Sequence, residues 1–348
     1  MSRGKNLTDV NDWISNFDPR VTGLADRKGS IFRYIPAIGA ARLLLKQDSG
    51  FSTNWTSIGV DDQPFVYYVT PGIGDLPTIQ SAIDLAFAEG SGSNDIIASI
   101  YVPPGAYSEN LIFRPGQSII AQGTQVAAGA ITIVGQHVYA PPVNSDPLSV
   151  ILGLQGITFL DELNGPTISF LGPNGALFSI NGCAFGKGGT GNPIFGSNPN
   201  AIFVINGSST INHSGADAFI SSDCLVTVIQ QCSFSSGAAA PMLDHTGAGF
   251  TQFSNNTAQS NSPYIASFGN GFIQASYNSL QTSAPDSDCL RIAAGVTLNI
   301  THSTLVCPAG LGYVLQGLGT ANVATNVYPD NNVKDPALTL NLLNTALV

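Results

Sequence analysis

The chain has 348 residues, of which 10% are charged and 43% hydrophobic, and its formal net charge is −10. Globular chains usually carry roughly 25% charged residues, so the low charge is unusual, but the apolar content is sufficient for a packed core. Eight of the 12 Lys and Arg residues lie within the first 46 positions. The remaining acidic body cannot assemble a basic face, which argues against nucleic-acid binding.

The sequence also argues against a secreted protein, a membrane-spanning protein and a protein held together by disulfides or a metal. The N-terminus lacks the order of basic, apolar and small residues of a signal peptide, and no apolar run reaches the roughly 18 residues that span a membrane. The five cysteines form no CxxC pair, which favours buried, reduced thiols over disulfides or a metal site. We therefore expect no cofactor, no bound metal, no membrane contact, and folding in a cytoplasm.

The first 76 residues differ in kind from the rest. Residues 1–25 are mostly polar, with Trp13, Ile14 and Phe17 as isolated apolar anchors, and are predicted to be an N-terminal arm that orders on a partner. Residues 26–60 are predicted to form a small β module. Its predicted strands are 31–34, 42–46 and 55–58. A linker over residues 61–76 follows.

Residues 77–89 have the pattern of a short amphipathic helix, because Ile79, Ile83 and Phe87 lie mainly on one side. A solenoid has an open end that must be covered, so we interpret this segment as a capping helix. The runs after it, which predict the first irregular strands, are 96–102, 111–113, 119–121 and 130–134. A turn or inserted loop at 141–147 precedes a return to strands at 150–159.

An internal repeat begins at residue 165. The leading positions of successive copies are Pro166, Pro193, Asp217, Pro241, Pro263, Asp288 and Gly312, with steps of 22 to 27 residues. This period indicates a solenoid, and two or three short β runs per copy without helical periodicity indicate a parallel β-helix. We predict an all-β domain over residues 77–328 with about seven regular coils, followed by a C-terminal tail at 329–348.

The segment "PTIQSAIDLAFAEGSGSNDIIASIYVPPGAYSENLIF", residues 77–113, resembles the entrance of a right-handed parallel β-helix of the pectin-lyase-like type. The likeness extends over residues 65–325. Residues 26–58 resemble a small β module near the start of bacteriophage fibre and virion structural proteins. Together these resemblances imply a phage spike, fibre or decoration protein, located in the virion. Its implied partners are other virion proteins of the capsid, neck or tail, bound through residues 1–60, and a host surface glycan.

Neighbouring coils stack at ~4.8 Å, so equivalent residues form ladders along the solenoid. The predicted interior ladder is Ile180, Ile205, Ile229, Phe253, Ala275 and Ile300. Asn256 and Asn278 lie one coil apart and are predicted to bond to each other inside. These ladders give the sequence its most specific structural predictions.

A second ladder lies three residues before the interior one. Its members are Leu177, Ile202, Val226, Phe250 and Phe272. An odd offset places the two ladders on opposite faces of a strand, so this one should form an apolar stripe outside. Viral β-helix spikes are usually trimers, and the resemblance therefore implies a parallel homotrimer with the stripe at its interface. The alternative is a bulge that turns both ladders inward.

Pectin-active enzymes match the chain only in part. Pectin methylesterases resemble it at 78–82 and 100–110, but its central coils lack their Gln-Asp and Gly-x-x-Asp-Phe-x-Phe-Gly segments. Pectate lyases need a calcium-binding carboxylate cluster and a nearby base. The two basic residues of the central coils, Lys187 and Arg291, lie about four coils apart and do not match that pattern. The resemblance therefore implies no pectin-active site.

A tailspike depolymerase needs two carboxyl groups roughly 5 to 9.5 Å apart. The acids on the coils are Asp161, Glu162, Asp217, Asp223, Asp244, Asp286 and Asp288. Of these, Asp217 and Asp244 occupy adjacent coils, but their offset of three positions separates them. The Asp161–Glu162 pair has the context of a solvated loop, and the other close pair, 286 and 288, that of turn residues.

The two histidines of the central coils, His213 and His245, are each isolated and are interpreted as structural imidazoles. We therefore predict no catalytic residue and no enzymatic activity. Two alternatives stay open. One is a tailspike depolymerase with a site between subunits, and the other is a bacterial surface adhesin.

Overall fold

The structure is a computed structural model. It describes residues 65–342 except 72–75, 92–96, 123–129, 141–150, 172–175, 238, 309–312 and 325–334, and the backbone of seven short strands before residue 65. The predicted loop at 141–147 and the predicted anchor Phe17 lie outside the described residues. No helix in the described ranges is long and apolar enough to cross a membrane.

The strands before residue 65 are β1 (Ser2–Arg3), β2 (Asp12–Ser15), β3 (Leu24–Asp26), β4 (Ile31–Tyr34), β5 (Arg42–Lys46), β6 (Gly50–Ser52) and β7 (Trp55–Ser57). The elements that follow are β8 (Phe65–Tyr68), helix α1 (Ile79–Ala88), β9 (Ala98–Val102), β10 (Gly105–Ser108), β11 (Ile112–Phe113), β12 (Gln117–Ala121), β13 (Ile131–Val134), β14 (His137–Tyr139), β15 (Ile151–Gln155), β16 (Thr158–Asp161), β17 (Ile168–Leu171), β18 (Leu177–Asn181), β19 (Ala184–Lys187), β20 (Ile194–Ser197), β21 (Ile202–Asn206), β22 (Ser209–His213), β23 (Ile220–Ser222), β24 (Val226–Gln230), β25 (Ser233–Ser236), β26 (Leu243–His245), β27 (Phe250–Ser254), β28 (Thr257–Ser260), β29 (Tyr264–Phe268), β30 (Phe272–Ser276), β31 (Ser279–Thr282), β32 (Asp288–Ile292), β33 (Thr297–Thr301), β34 (Thr304–Val306), β35 (Leu315–Gly317), β36 (Thr320–Ala324) and β37 (Thr339–Leu342).

Three parallel sheets form the walls of a right-handed β-helix. Sheet I has twelve strands in the order β8, β9, β12, β15, β18, β21, β24, β27, β30, β33, β36, β37. Sheet II has nine strands, β10 and every third strand up to β34, and sheet III has nine, β11 and every third strand up to β35. The chain visits the three sheets in turn, so each strand pairs with its equivalent one coil later. The predicted all-β parallel β-helix is confirmed.

The core lies inside the three walls, where side chains from every second strand position meet. The predicted interior ladder is confirmed, because its six members pair in direct register along sheet I and none is more than 1% exposed. Aromatic rings stack beside it, with Phe170 and Phe178 at 4.8 Å and Phe178 and Phe203 at 5.2 Å between centroids. Burial of this continuous apolar column stabilises the solenoid.

Helix α1 closes the N-terminal end of the core. It begins after Thr78, whose hydroxyl accepts a hydrogen bond from the Ser81 amide in a capping box. The carboxylate of Glu109 accepts the amide hydrogens of Ile79 and Gln80, each at 3.0 Å. This negative charge at the positive end of the helix stabilises it. The capping helix predicted over 77–89 is thus present as α1.

The corner between sheets I and II repeats one turn. Its central residues have a positive φ of 49° to 72° and are Gly156, Gly182, Gly207, Gln231, Asn255, Tyr277 and His302. The residue after this position points inward, and the Asn256 amide donates to the Asn278 side-chain oxygen at 3.1 Å. The Asn278 amide in turn donates to the Phe253 carbonyl at 2.8 Å. The predicted interior asparagine ladder is confirmed.

Both ends of the chain contribute further strands. In the N-terminal part, β4 pairs antiparallel with β5, β5 pairs antiparallel with β7, and β2 pairs parallel with β4. The predicted strands at 31–34 and 42–46 coincide with β4 and β5. Strand β8, within the predicted linker, opens sheet I, and β37, within the predicted tail, extends it beside β36.

Candidate functional site

The outer face of sheet III carries a column of polar side chains. Ser221, Asp244, Ser267 and Arg291 lie in direct register on β23, β26, β29 and β32. All four are partly exposed, because alternate positions of these strands point out of the solenoid. We call these four residues the polar column. Adjacent members are one strand spacing apart, about 4.8 Å.

Asp244 lies at the centre of the polar column. The Tyr264 hydroxyl donates to its Oδ2 at 3.1 Å. Its Oδ1 has no hydrogen-bond partner in the described part of the chain. Burial raises the pKa of Asp244 and the negative charge of Asp217 raises it further, while the Tyr264 hydrogen bond and the positive charge of Arg291 oppose the shift. The carboxylate therefore combines a fixed orientation with a free acceptor oxygen.

Arg291 is held in place from two sides. Its Nε donates to Asp288 Oδ2 at 2.9 Å, and its guanidinium lies 4.4 Å from the centroid of the Tyr264 ring. Asp288 is itself fixed, since its other oxygen accepts the Tyr313 amide at 2.8 Å. The Arg291 side chain stays 35% exposed. Burial also raises the pKa of Tyr264, so its hydroxyl remains a donor at neutral pH.

These contacts correct one prediction and define the chemistry of the face. Asp288 is not a simple turn residue, because it opens β32 and forms an ion pair with Arg291. Asp286 does lie in the turn, with a φ of 55°.

The polar column and Tyr264 together present acceptors, donors and a cation on a stiff sheet, an arrangement suited to a ligand rich in hydroxyl groups. No group of three or more potential metal ligands occurs among the described residues.

A cleft of about 350 Å³ lies beside the first coils. It is lined by Ser108, Glu109, Asn110, Val134, Gly135, Asp161, Glu162 and Leu163. Two of its three carboxylates already have partners inside the protein, since Glu109 binds the start of α1 and Asp161 pairs with Lys187. The cleft therefore has fewer free functional groups than the polar column.

The Asp161–Lys187 ion pair is buried and was missed by the sequence analysis. The Lys187 Nζ lies 2.5 Å from Asp161 Oδ2, and the side chains are 0% and 1% exposed. The Gln136 amide and the Leu163 backbone amide also donate to the Asp161 carboxylate. The interpretation of Asp161 as part of a solvated loop is wrong, because β16 and β19 bring it into register with Lys187.

The predicted interface residues form the expected ladder. Leu177, Ile202, Val226, Phe250 and Phe272 pair in direct register along sheet I. All five are on the outer face, where Ile202 is 40% and Phe272 42% exposed. The alternative with both ladders turned inward therefore does not hold. We call these five residues the apolar stripe, and their role as an interface stays a prediction.

Three histidines of the coils, His137, His213 and His245, lie in the interior, whereas His302 is exposed at the corner between sheets I and II. His213 and His245 are buried, and the His213 Nε2 lies 2.8 Å from the Asp217 carbonyl, as expected of a structural imidazole. The sequence analysis did not single out His137, whose buried Nδ1 accepts the Leu111 amide at 3.1 Å. Burial lowers the pKa of His137 to about 4. Only the register of sheet III shows that this ring points into the core.

No family model matches the chain, and no curated protein matches it. Among solved structures, it is similar to the A-module of a mannuronan C-5 epimerase from Azotobacter vinelandii, with 11% identity, a TM-score of 0.40, and coverage of 81% of this chain and 100% of that one. It is also similar to the catalytic unit of a thermostable α-1,3-glucanase from Streptomyces thermodiastaticus, with 11% identity, a TM-score of 0.37, and coverage of 79% and 66%.

Both neighbours are carbohydrate-active enzymes by name. This finding overturns the prediction that the chain has no enzymatic activity, and we withdraw that prediction. At 11% identity the likeness concerns the fold, so it assigns neither the epimerase nor the glucanase reaction to this chain.

Proposed function

We propose that this chain is a bacteriophage virion protein, a spike, fibre or decoration protein, whose β-helix binds polysaccharide on the host surface. The observation that supports this proposal best is the polar column, with the free Oδ1 of Asp244 beside the exposed guanidinium of Arg291. Sugars offer hydroxyl groups that donate to carboxylates and accept from guanidinium and hydroxyl groups.

The stiffness of the scaffold supports the same function. Tyr264 orients Asp244 and Asp288 orients Arg291 before any ligand arrives, and the strand ladder holds the backbones of all four column members in register. Little side-chain freedom is then lost on binding, so weak individual contacts add up over several coils. A polysaccharide lying along the solenoid axis would meet one member of the column per coil.

The N-terminal region is proposed to anchor the protein to the particle. Residues 1–60 hold eight basic and five acidic residues, a net charge of +3, while the whole chain carries −10. An acidic particle surface would attract the basic residues 1–60 and repel the acidic solenoid, so the N-terminal region would face the particle. Removal of residues 1–25 should leave a folded solenoid that no longer joins particles. Normal incorporation of the shortened chain would contradict this part of the proposal.

A second candidate function is a depolymerase, and the environment of Asp244 favours it. Burial and the nearby Asp217 both raise the pKa of Asp244, so this group holds a proton at a higher pH than an ordinary aspartate. A carboxylic acid of that kind is what a general acid for glycoside cleavage requires, with a second carboxylate as its partner.

Co-sedimentation of the full-length chain with a panel of bacterial capsular and O-antigen polysaccharides tests both functions. We expect at least one polysaccharide to bind, and Asp244→Asn and Arg291→Gln each to weaken its binding about tenfold, the effect of one lost charged hydrogen bond. Asp84→Asn removes the same charge as Asp244→Asn, but on helix α1 away from the column, and should bind normally.

Each outcome of this experiment is decisive. Wild-type protein that binds no polysaccharide, or both column variants binding as tightly as wild type, would contradict the binding proposal. Reducing ends are assayed in the same tubes. Their release by wild type and its loss in Asp244→Asn would establish the depolymerase, and binding without release would leave binding as the function.

A further inference from the structure

The corner between sheets I and II carries a pair of stacked aromatic rings. Tyr277 is 59% exposed, and its ring stacks on that of His302 one coil later, with 4.8 Å between the centroids and 11° between the planes. That distance equals the spacing of adjacent coils, so each ring has one face against the other and one face turned away. We call these two residues the aromatic platform. Tyrosine suits a binding surface, because its ring is apolar and its hydroxyl polar.

The backbone holds the aromatic platform at a position that favours glycine. Tyr277 has a φ of 55° and His302 a φ of 49°, in the left-handed region that large side chains avoid. The equivalent corner positions of three earlier coils are Gly156, Gly182 and Gly207. Glycine is therefore sufficient for the turn itself. A large residue that keeps this strained backbone while its side chain is exposed points to a function of the side chain.

Contacts inside the protein do not explain the two rings. Among the described residues, neither side chain forms a hydrogen bond or an ion pair, and the stacking of one ring on the other is their aromatic contact. Their backbone amides form the ordinary ladder bonds, from Tyr277 to the Thr301 carbonyl and from His302 to the Ala324 carbonyl. The exposed ring and the Tyr277 hydroxyl are thus open to a ligand.

The surface beside the aromatic platform is polar but uncharged. On the sheet II side, exposed hydroxyl groups stand in direct register along β25, β28, β31 and β34. This hydroxyl ladder consists of Ser233, Thr257, Ser279 and Thr304. Two positions further along β28 and β31, Gln259 and Gln281 present exposed amides in register. No Asp, Glu, Lys or Arg occurs in the strands of these two walls, β24, β25, β27, β28, β30, β31, β33 and β34.

This combination of groups selects a neutral carbohydrate. A sugar ring presents a face of C–H groups, which packs on the electron-rich face of an aromatic ring, and hydroxyl groups, which exchange hydrogen bonds with hydroxyl and amide side chains. A nucleic-acid base would also stack, but single-stranded nucleic acid needs a positively charged groove, which these eight strands do not provide. The carboxylates of an acidic glycan would find no cation there.

We propose that the aromatic platform and the hydroxyl ladder form a second carbohydrate-binding surface, which takes a neutral glycan. One sugar ring stacks on Tyr277, and the sugars that follow along the solenoid axis meet one hydroxyl of the ladder per coil. This surface belongs to sheet II and its corner with sheet I, whereas the polar column lies on sheet III. It therefore goes beyond the proposed function, whose binding site is the polar column.

Saturation-transfer difference NMR of the full-length chain tests the proposal, with neutral malto-, cello-, manno-, galacto- and N-acetylglucosamine oligosaccharides as probes. We expect transfer to the C–H protons of at least one probe. Tyr277→Gly should weaken the binding of that probe about fivefold, the effect of one lost stacked ring. Tyr277→Phe keeps the ring and should bind more tightly than Tyr277→Gly.

The same variant separates a binding role from a structural one. Tyr277→Gly fits the positive φ of its position, so relief of backbone strain offsets the greater freedom of glycine in the unfolded chain. Its urea midpoint should stay close to that of the wild type or exceed it. A large fall of the midpoint would show that the ring serves the fold, and would overturn the proposal.

A matched variant locates the binding on the solenoid. Tyr68 is 53% exposed and stacks on Tyr101, with 5.3 Å between the centroids, at the N-terminal end of sheet I. Tyr68→Ala removes a similarly exposed ring far from the aromatic platform and should bind the probe like the wild type. An equal loss of binding in Tyr68→Ala and Tyr277→Gly would contradict the proposed location.

The remaining outcomes also decide between surfaces. Absence of transfer to every neutral probe, or equal binding by wild type and Tyr277→Gly, would refute the proposal. Tighter binding of an oligogalacturonate than of the neutral probes would refute the neutral character of the surface. Loss of probe binding in Asp244→Asn instead of Tyr277→Gly would place the neutral glycan on the polar column, so the two surfaces fail separately. Wild type that binds no probe but loses mass in light scattering on Tyr277→Gly would assign the aromatic platform to a contact between copies of this chain.

Discussion

Removal of the cation from the buried Asp161–Lys187 pair should be among the most damaging single changes in the solenoid. In Lys187→Met the Asp161 carboxylate, 1% exposed, would keep only the Gln136 and Leu163 amide donors. The Leu163 carbonyl would also lose the Lys187 donor. A buried charge that loses its partner costs about 3 to 5 kcal/mol, so the free energy of unfolding should fall by that amount.

A second variant shows whether charge or packing causes the loss. Asp161→Asn combined with Lys187→Met removes both charges and keeps the shape of the first residue. We expect the double variant to recover about 2 kcal/mol relative to Lys187→Met, because no uncompensated charge stays buried. Arg114→Met breaks the exposed pair with Asp84, whose side chains are 39% and 52% exposed, and should cost under about 1 kcal/mol.

Urea unfolding followed by far-UV circular dichroism measures these differences in the free energy of unfolding. The comparison is valid if this free energy falls equally steeply with urea concentration in all variants. Two results would refute the reasoning. One is a loss below about 1 kcal/mol for Lys187→Met, which would mean that the Asp161 carboxylate becomes hydrated in the variant. The other is a double variant at least as unstable as Lys187→Met, which would attribute the loss to packing.

Three further outcomes are expected. The pKa of His137 is lowered to about 4 by burial, so the unfolded chain binds its proton first as pH falls below about 6.5, and up to about 3 kcal/mol of stability is lost by about pH 4. Urea midpoints measured between about pH 6.5 and pH 4 should fall as the pH is lowered. The fall should be smaller in His137→Gln, and in the exposed control His302→Gln it should equal that of the wild type. Asn278→Leu removes the acceptor of the buried Asn256 backbone amide and one of the two acceptors of its side-chain amide, which keeps the Ile229 carbonyl. It should cost about 1 to 3 kcal/mol by urea unfolding, against under about 1 for Asn322→Ala on the outer face, and equal costs would refute the interior ladder as a source of stability. All five cysteines are buried, so an aromatic disulfide reagent should titrate none in the native protein and five in denaturant, and any fast native thiol contradicts this.

The regular part of the fold follows from the sequence because a parallel solenoid converts a repeat directly into contacts. Once the period is recognised, residues one copy apart must stack, and strand alternation decides which of them point inward. The interior ladder from Ile180 to Ile300 and the Asn256–Asn278 bond could therefore be predicted without coordinates. The outward placement of the apolar stripe follows from the same alternation.

The candidate site could not be predicted in this way, because Tyr264 and Asp288, which orient Asp244 and Arg291, are the first residues of their strands and their places follow turns of unequal length. Asp244 and Tyr264 are 20 residues apart and bond across one coil, although no copy of the repeat is that short. The turn lengths between sheets II and III differ from coil to coil, and they decide which side chains meet there. For the same reason Asp161, next to a polar loop in sequence, contacts Lys187 inside the wall.

The sequence by itself thus determined the architecture, the membership of each ladder and the face on which each ladder lies. Only the tertiary structure decided which polar groups share a hydrogen bond and which carboxylate keeps an oxygen free. The physical reason is that sheet register depends on a repeated apolar pattern summed over many coils. The environment of a single carboxylate such as Asp244 depends on where a few neighbouring side-chain atoms lie.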